Sequence, residues 1–279
     1  MVAAREQLDH LFAEHSTPAR IVIVQSGDEI LFHARQAAGG GRPVVAGGGD
    51  GTVNAVASTL AGTNTVLGVL PLGTLNHFAK DLGIPLELAG AVRTILTGRV
   101  ETVDVGEVNG QVFLNNSSLG VYSQLVRGRE AEQNRGHNKW VAFAMAAFAT
   151  LRHPLPLHVH LQLDGAEALA RRTPLLFVGN NRYIMDGLRI GRRIRLDAGQ
   201  LWVCTAPQAG RGQLLCLAVR ALAGRLRLDD LDARNATEFW VETQRRNVEV
   251  AWDGEVTTMA SPLHYRIRPR ALRVMVPGE

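Results

Sequence analysis

The chain has 279 residues, 46% of them hydrophobic and 20% charged, which is enough apolar material for one large domain or two and excludes a disordered or fibrous chain. Two cysteines, Cys204 and Cys216, with no CxxC spacing, argue against a disulfide scaffold or a cysteine zinc site and for a reducing compartment. The net charge is +4, and lysine occurs only at Lys80 and Lys139 among 30 basic residues, so the basic surplus is arginine, whose planar fork suits phosphate. That balance leaves nucleotides, nucleic acid or an anionic membrane surface as partners, beside a plain solvated surface.

The first hundred residues alternate between helix and strand patterns. An amphipathic helix is predicted over Arg5–Glu14, a short strand over Ile21–Val24 and a helix over Asp28–Ala38. A buried strand at Pro43–Ala46, a helix at Val53–Leu60, a strand at Val66–Leu70 and helices near Leu75–Leu82 and Leu86–Leu96 follow. This order points to a parallel sheet covered on both faces, a Rossmann-like α/β domain. From about Val103 the pattern changes to strands: Val103–Val108 and Gln111–Asn116 flank an Asn109-Gly110 turn, and Leu157–Leu163, Glu238–Glu242 and Val248–Trp252 alternate apolar with polar residues. Asp164-Gly165 and Asp253-Gly254 are turn dipeptides, so a β-sandwich is predicted, with helical insertions at Trp140–Leu151 and Gln213–Ala223. The expected division is 1–104 and 105–279, with the C-terminal tail returning to the first domain. No stretch of 18 apolar residues is available to span a bilayer, and the first residues do not read as a signal peptide.

The most informative segment is Gly47-Gly48-Gly49-Asp50-Gly51-Thr52-Val53-Asn54, between a buried strand and a helix. Glycines let the backbone approach a phosphate, and a helix N-terminus offers free N–H groups with a favourable dipole. Thr52 suits an N-cap. Asp50 among phosphate-cradling amides makes sense with a divalent cation between the two anions; the plainer alternative is a tight Asp50-Gly51 turn. The loop is neither a P-loop nor a dinucleotide fingerprint. A second loop, Leu70 to Lys80, carries Gly73, Thr74 and Asn76 after the next strand, and adjacent parallel strands share one crevice at their C-terminal ends.

These segments resemble a known family. GGGDGTVNAVAS (47–58), LPLGTLNHFAKDLGIP (70–85), VDVGEVNGQVFLNNSSLGV (103–121), LDAGQLWV (196–203) and Trp252-Asp-Gly-Glu255 occur in the order of the diacylglycerol kinase catalytic-domain family, which includes bacterial lipid kinases, sphingosine kinases and ceramide kinases. The resemblance implies an NAD kinase/diacylglycerol kinase-like α/β domain followed by a β-sandwich domain, with ATP in the cleft. It implies that Gly48, Gly49, Asp50, Gly51, Thr52, Val53, Asn54, Ala55, Gly73, Thr74 and Asn76 line the nucleotide, and that Glu255 is the proton acceptor; read from its own spacing, Glu255 is a turn carboxylate. Asp104 would join Asp50 in organising Mg²⁺ through water, or be a strand-end aspartate. A second metal position would involve Asp197 with the carbonyls of Arg195 and Gln200.

The chain departs from the family pattern in three places. No strand ending in an Asn-Pro-x-x-Gly loop is visible before Arg5, His77 stands where an aspartate is usual, and Ala198 stands where a metal-binding aspartate is usual.

The function expected from the resemblance is ATP- and Mg²⁺-dependent phosphorylation of a lipid hydroxyl, such as that of diacylglycerol, by a cytoplasmic protein associated peripherally with a membrane. No nucleic-acid partner is expected, and a homodimer stays open. The alternatives are an NAD kinase-like soluble kinase and a catalytically weak lipid- or nucleotide-binding protein. Asn138–Leu151, with Trp140, Phe143 and Phe148, reads as an interfacial helix or a core helix. Arg182, Arg189, Arg192, Arg193 and Arg195 read as a patch for anionic headgroups or a solvated loop.

Overall fold

The computed structural model describes residues 2–120, 157–184, 192–206 and 231–278. They divide into two compact units, Met1–Val103 with Arg270–Glu279, and Asp104–Pro269. The division falls just before Asp104, and the last ten residues of the chain go with the first unit.

The first unit opens with α1 (Val2–Glu14) and α2 (Gly27–Ala37). Ser26 caps α2 by accepting from Glu29 N at 3.2 Å, while the Glu29 carboxylate reaches back to Gln25 N at 2.8 Å and holds the residue before the cap. The run between them, Ile21–Val24, is not a strand. Val22 and Ile23 are exposed there, and among the described residues β1 (Val44–Gly48) pairs only with β2 (Val66–Pro71). A β-branched run forms a strand only where a neighbour accepts its hydrogen bonds, and here none does.

Strands β1 and β2 run parallel, from Val44↔Leu67 to Gly48↔Pro71. Each is followed directly by a helix, α3 (Asp50–Leu60) after β1 and α4 (His77–Asp81) after β2. Then α5 (Leu88–Thr97) buries Ala91 and Val92. Gly68 lets α5 lie close: a Cβ there would stand 3.1 Å from both Ile95 and Val45 side-chain atoms. The last strand returns to this unit, where it pairs parallel with β2 at Arg273↔Val66 and Val274↔Leu67.

The second unit is an antiparallel sandwich. It contains the end of β3 (Arg99–Val108), β4 (Gln111–Phe113), β5 (Asn116–Gly120), β6 (Leu157–Leu163), β7 (Leu169–Thr173) and β8 (Leu175–Asn180). The short β9 (Tyr183–Ile184) and β10 (Arg192–Arg193) pair with each other. There follow β11 (Leu201–Thr205), β12 (Asp232–Ala236), β13 (Glu238–Thr243), β14 (Asn247–Trp252), β15 (Glu255–Ala260) and β16 (Leu263–Val276), whose first residues belong here. One sheet runs β16-β13-β6-β7 and the other β12-β11-β8-β5-β14-β15. Phe113, Leu119, Leu176, Leu201, Phe239, Val250, Leu263 and Tyr265, all fully buried, come from both sheets and form one core. Tyr265 and Phe239 stack at 4.8 Å, and the Tyr265 hydroxyl meets Ser117 Oγ at 3.0 Å.

Three turns are built as the dipeptides predict. Asn109-Gly110, Asp164-Gly165 and Asp253-Gly254 all have positive φ at both residues, as two-residue hairpin turns require. The predicted single strand Gln111–Asn116 is instead two, β4 and β5, broken at Leu114-Asn115 because their N–H groups turn to the Asp253 carboxylate. The predicted helices Trp140–Leu151 and Gln213–Ala223 lie outside the described residues. Among the described residues no helix is long and apolar enough to cross a membrane.

Candidate active site

In the first unit two loops meet through their backbones. Leu72 N donates to Gly48 O at 3.0 Å, joining the end of the second loop to the first. A Cβ on Gly73 would lie 2.4 Å from Gly49 Cα, so only glycine permits this approach. Asn76 fixes the second loop. Its backbone is left-handed (φ 50°), its Oδ1 accepts from Gly73 N at 3.0 Å, and its Nδ2 donates to Gly73 O at 2.9 Å and Pro71 O at 3.3 Å. The Asn76 side-chain amide is thus engaged within its own loop. Asp50 Oδ1 accepts from Phe78 N at 3.4 Å and ties the start of α3 to the start of α4.

The start of α3 is three residues earlier than predicted. Gly49, not Thr52, is the N-cap, and no side chain caps the helix. The helical hydrogen bonds begin at Val53 N, which donates to Gly49 O at 3.1 Å. The donors left to a ligand are therefore the main-chain N–H groups from Gly49 to Thr52, at the positive end of the helix dipole. Val53, Asn54 and Ala55 belong to the helix body, and the side chains of Val53 and Asn54 are buried. Thr74 and His77 are exposed, His77 as the first residue of α4.

This cradle fits a nucleotide's phosphates: it has uncapped amides, a helix dipole and a backbone approach that any Cβ would fill. Asp50 fits a share in Mg²⁺, which takes one or two carboxylates together with phosphate oxygens and water. The second metal position does not fit. The Asp197 carboxylate is held by the Arg195 guanidinium at 3.0 and 3.1 Å, which raises the Arg195 pKa, and the Gln200 carbonyl already accepts from Asn181 N at 3.0 Å. Among the described residues no three His, Cys, Asp or Glu side chains gather at metal-binding spacing.

Asp104 belongs to the second unit and Asp50 to the first. It is 1% exposed, and its Oδ2 accepts from Gly199 N at 2.7 Å and from Asn181 Nδ2 at 3.1 Å. Its backbone N donates to Leu196 O at 2.7 Å. Asp104 is a buried anchor of the Leu196–Gln200 loop through these hydrogen bonds.

Glu255 opens β15 directly after the Asp253-Gly254 turn and is exposed. The Asp253 carboxylate accepts from Leu114 N (2.6 Å), Asn115 N (2.8 Å) and Asn116 N (3.1 Å), and Asp253 N donates to Asn116 O at 2.9 Å. Burial of the carboxyl, although the residue as a whole keeps some exposure, raises its pKa to about 6 against the pull of those three N–H groups and of Arg193. Arg193 is also buried, at 4% exposure. Its guanidinium donates to Leu114 O at 2.5 Å, Asn180 O at 3.2 Å and Asn115 Oδ1 at 3.0 Å.

Of the arginine run, Arg193 faces inward, whereas Arg182 is exposed and Arg195 is exposed while holding Asp197. Arg189 and the side chain of Arg192 lie outside the described residues. Asn180 and Asn181 were not singled out by spacing, and Asp253 and Arg193 were read only as a turn residue and as one of a basic run; a repeated Asn-Asn pair, at Asn115-Asn116 and Asn180-Asn181, is the sequence signal for this cluster.

The diacylglycerol kinase catalytic domain matches residues 3–108, and the YegS C-terminal NAD kinase beta sandwich-like domain matches residues 118–276. The chain belongs to the diacylglycerol kinase catalytic-domain family. A probable lipid kinase YegS-like protein of Pseudomonas syringae pv. syringae is 34% identical over 91% of this chain and 82% of its own length. A diacylglycerol kinase of Mycobacterium tuberculosis is 31% identical over 84% of this chain and 76% of its own. As a member of this kinase family the chain is a phosphotransferase. The fold is shared with a diacylglycerol kinase from Bacillus anthracis, with a TM-score of 0.66 at 21% identity, covering 92% of this chain and 84% of that one. It is shared more distantly with an NAD kinase from Archaeoglobus fulgidus in complex with ATP, with a TM-score of 0.51 at 12% identity, covering 97% and 88%.

Proposed function

We propose that this kinase-family chain transfers the γ-phosphoryl group of ATP to the hydroxyl of a lipid such as diacylglycerol, with Mg²⁺ as the required ion. The observation that carries the reading is the uncapped N-terminus of α3 joined backbone to backbone with the Gly73 loop. The names of the lipid kinase and diacylglycerol kinase relatives support the choice of acceptor.

The amides from Gly49 to Thr52 bind and orient the phosphates, and the rigid Asn76-pinned loop holds their geometry. Mg²⁺ would supply charge neutralisation at the transferring group, with Asp50 as its protein carboxylate. Glu255 takes the proton as the lipid oxygen bonds to the γ-phosphorus and the bridging bond to the β-phosphate breaks, releasing ADP. The lipid acceptor would bring the chain to a membrane surface peripherally.

The test is a panel of lipid vesicles and micelles, with NAD as a soluble acceptor, incubated with labelled ATP and Mg²⁺ beside Glu255→Ala and Asp50→Ala. Label on a lipid that both variants lose supports the reading. Label on NAD alone, or variants equal to the parent, overturns it.

A further inference from the structure

A second carboxylate stands two residues before Glu255 and is oriented by a different logic. Asp253 does not face solvent chemistry; it accepts three consecutive backbone N–H groups from Leu114–Asn116. Three donors converging on one carboxylate make a charge-assisted clamp, stronger than the same bonds to a neutral acceptor. From the other side the Arg193 guanidinium holds the same loop by its acceptors, Leu114 O and Asn115 Oδ1. Asn180 Nδ2 adds a bond to Leu114 O at 2.8 Å. The loop is thus gripped through its donors by an anion and through its acceptors by a cation.

The turn that carries the anion also carries Glu255. Asp253 and Gly254 both sit at left-handed φ, 46° and 91°, and the flanking Trp252 and Glu255 are directly paired across β14 and β15. Any shift of Asp253 therefore moves the Glu255 backbone with it. Loop residues Leu114, Asn115 and Asn116 bring no titratable group to Asp253. The charged side chain that acts on it is Arg193 on β10, which favours its ionised form.

We infer that ionised Asp253 is a positioning residue for Glu255: by clamping the Leu114–Asn116 amides it fixes the hairpin end from which Glu255 accepts the substrate proton. This rests on the reading of Glu255 given above. Protonation of Asp253 would turn one acceptor oxygen into a donor facing donors, so the clamp would loosen as the group titrates at about 6.

The experiment compares parent and Asp253→Asn enzyme with ATP, Mg²⁺ and the lipid found active, from roughly pH 5 to 8. At the upper end, kcat of the variant is expected to fall about tenfold to a hundredfold, as for a small misplacement of a catalytic group, with KM for ATP unchanged. The ratio of the two kcat values, in which the titration of ATP cancels, is expected to collapse towards one below about pH 6. A ratio of one at every pH, or a ratio above one that ignores pH, overturns the inference. Should the variant not fold, amide exchange at Leu114–Asn116 in the parent answers the same question: protection beyond the intrinsic pH dependence must drop as pH falls through about 6, and constant protection overturns the clamp. Loss of the lipid kinase reading would show separately, as a parent without lipid phosphorylation or a Glu255→Ala variant equal to it.

Discussion

The two candidate parts of this protein are built from different materials. In the first unit the ligand-facing groups are main-chain amides, freed by glycines at Gly49 and Gly73 and by an uncapped helix end. In the second unit the geometry around Glu255 is held by buried side chains, Asp253, Arg193, Asn180 and Asn115, each fully engaged. A backbone cradle binds through uncharged amides, with the Asp50 carboxylate beside them, and depends on the absence of side chains at Gly49 and Gly73. A clamp of buried ions depends on every partner being present, because a lost partner strands a charge in low dielectric.

Four outcomes would break or sharpen that contrast. The largest belongs to the proposed base: Glu255→Ala should lower kcat by about a hundredfold to ten-thousandfold, the usual contribution of a positioned base, with ATP affinity measured by calorimetry unchanged. Next is the cradle. Gly73→Ala places a Cβ 2.4 Å from Gly49 Cα, so the two loops must separate, and KM for ATP should rise about tenfold or more while thermal stability falls by about 1–3 kcal/mol. An unchanged KM would mean that the phosphates do not sit there.

Third, Arg193→Leu should cost about 3 kcal/mol of stability in urea titrations, since it strands the acceptors of the Leu114 loop and the Asp253 charge. A neutral outcome would show that the clamp is not bound through charge. The smallest effect is a slope. The folded pKa of Asp253 is raised from 3.8 to about 6, so its stabilising contribution is full below the lower value and is lost as pH rises through the upper one. Unfolding free energy should therefore lose about 2 kcal/mol through this group between pH 4 and 7, and Asp253→Asn should remove that slope. In the parent this gain at low pH accompanies a looser local loop, which separates the global readout from the local one.

What the sequence by itself determined is local. The glycine loop, the following helix, the βα alternation and the Asn-Gly and Asp-Gly hairpins are written in neighbouring residues, because the left-handed φ or a missing Cβ is decided by a residue and its immediate neighbours. The place of Glu255 directly after such a turn was legible for the same reason, while the role proposed for it rests on the ordered set of motifs. Tertiary structure decided the rest. Ile21–Val24 has strand-forming residues but no ladder partner, so it stays unpaired. Arg193 and Arg195 look alike in a basic run, yet one is buried against carbonyls and the other holds Asp197 near the surface. Asp104 looks like an open strand-end carboxylate until Gly199, 95 positions later, takes its oxygen. Val274 returns to pair with Leu67 across the length of the chain. Burial and charge pairing are properties of what the fold brings close, and residues far apart in sequence carry no local mark of the neighbour that will take their charge.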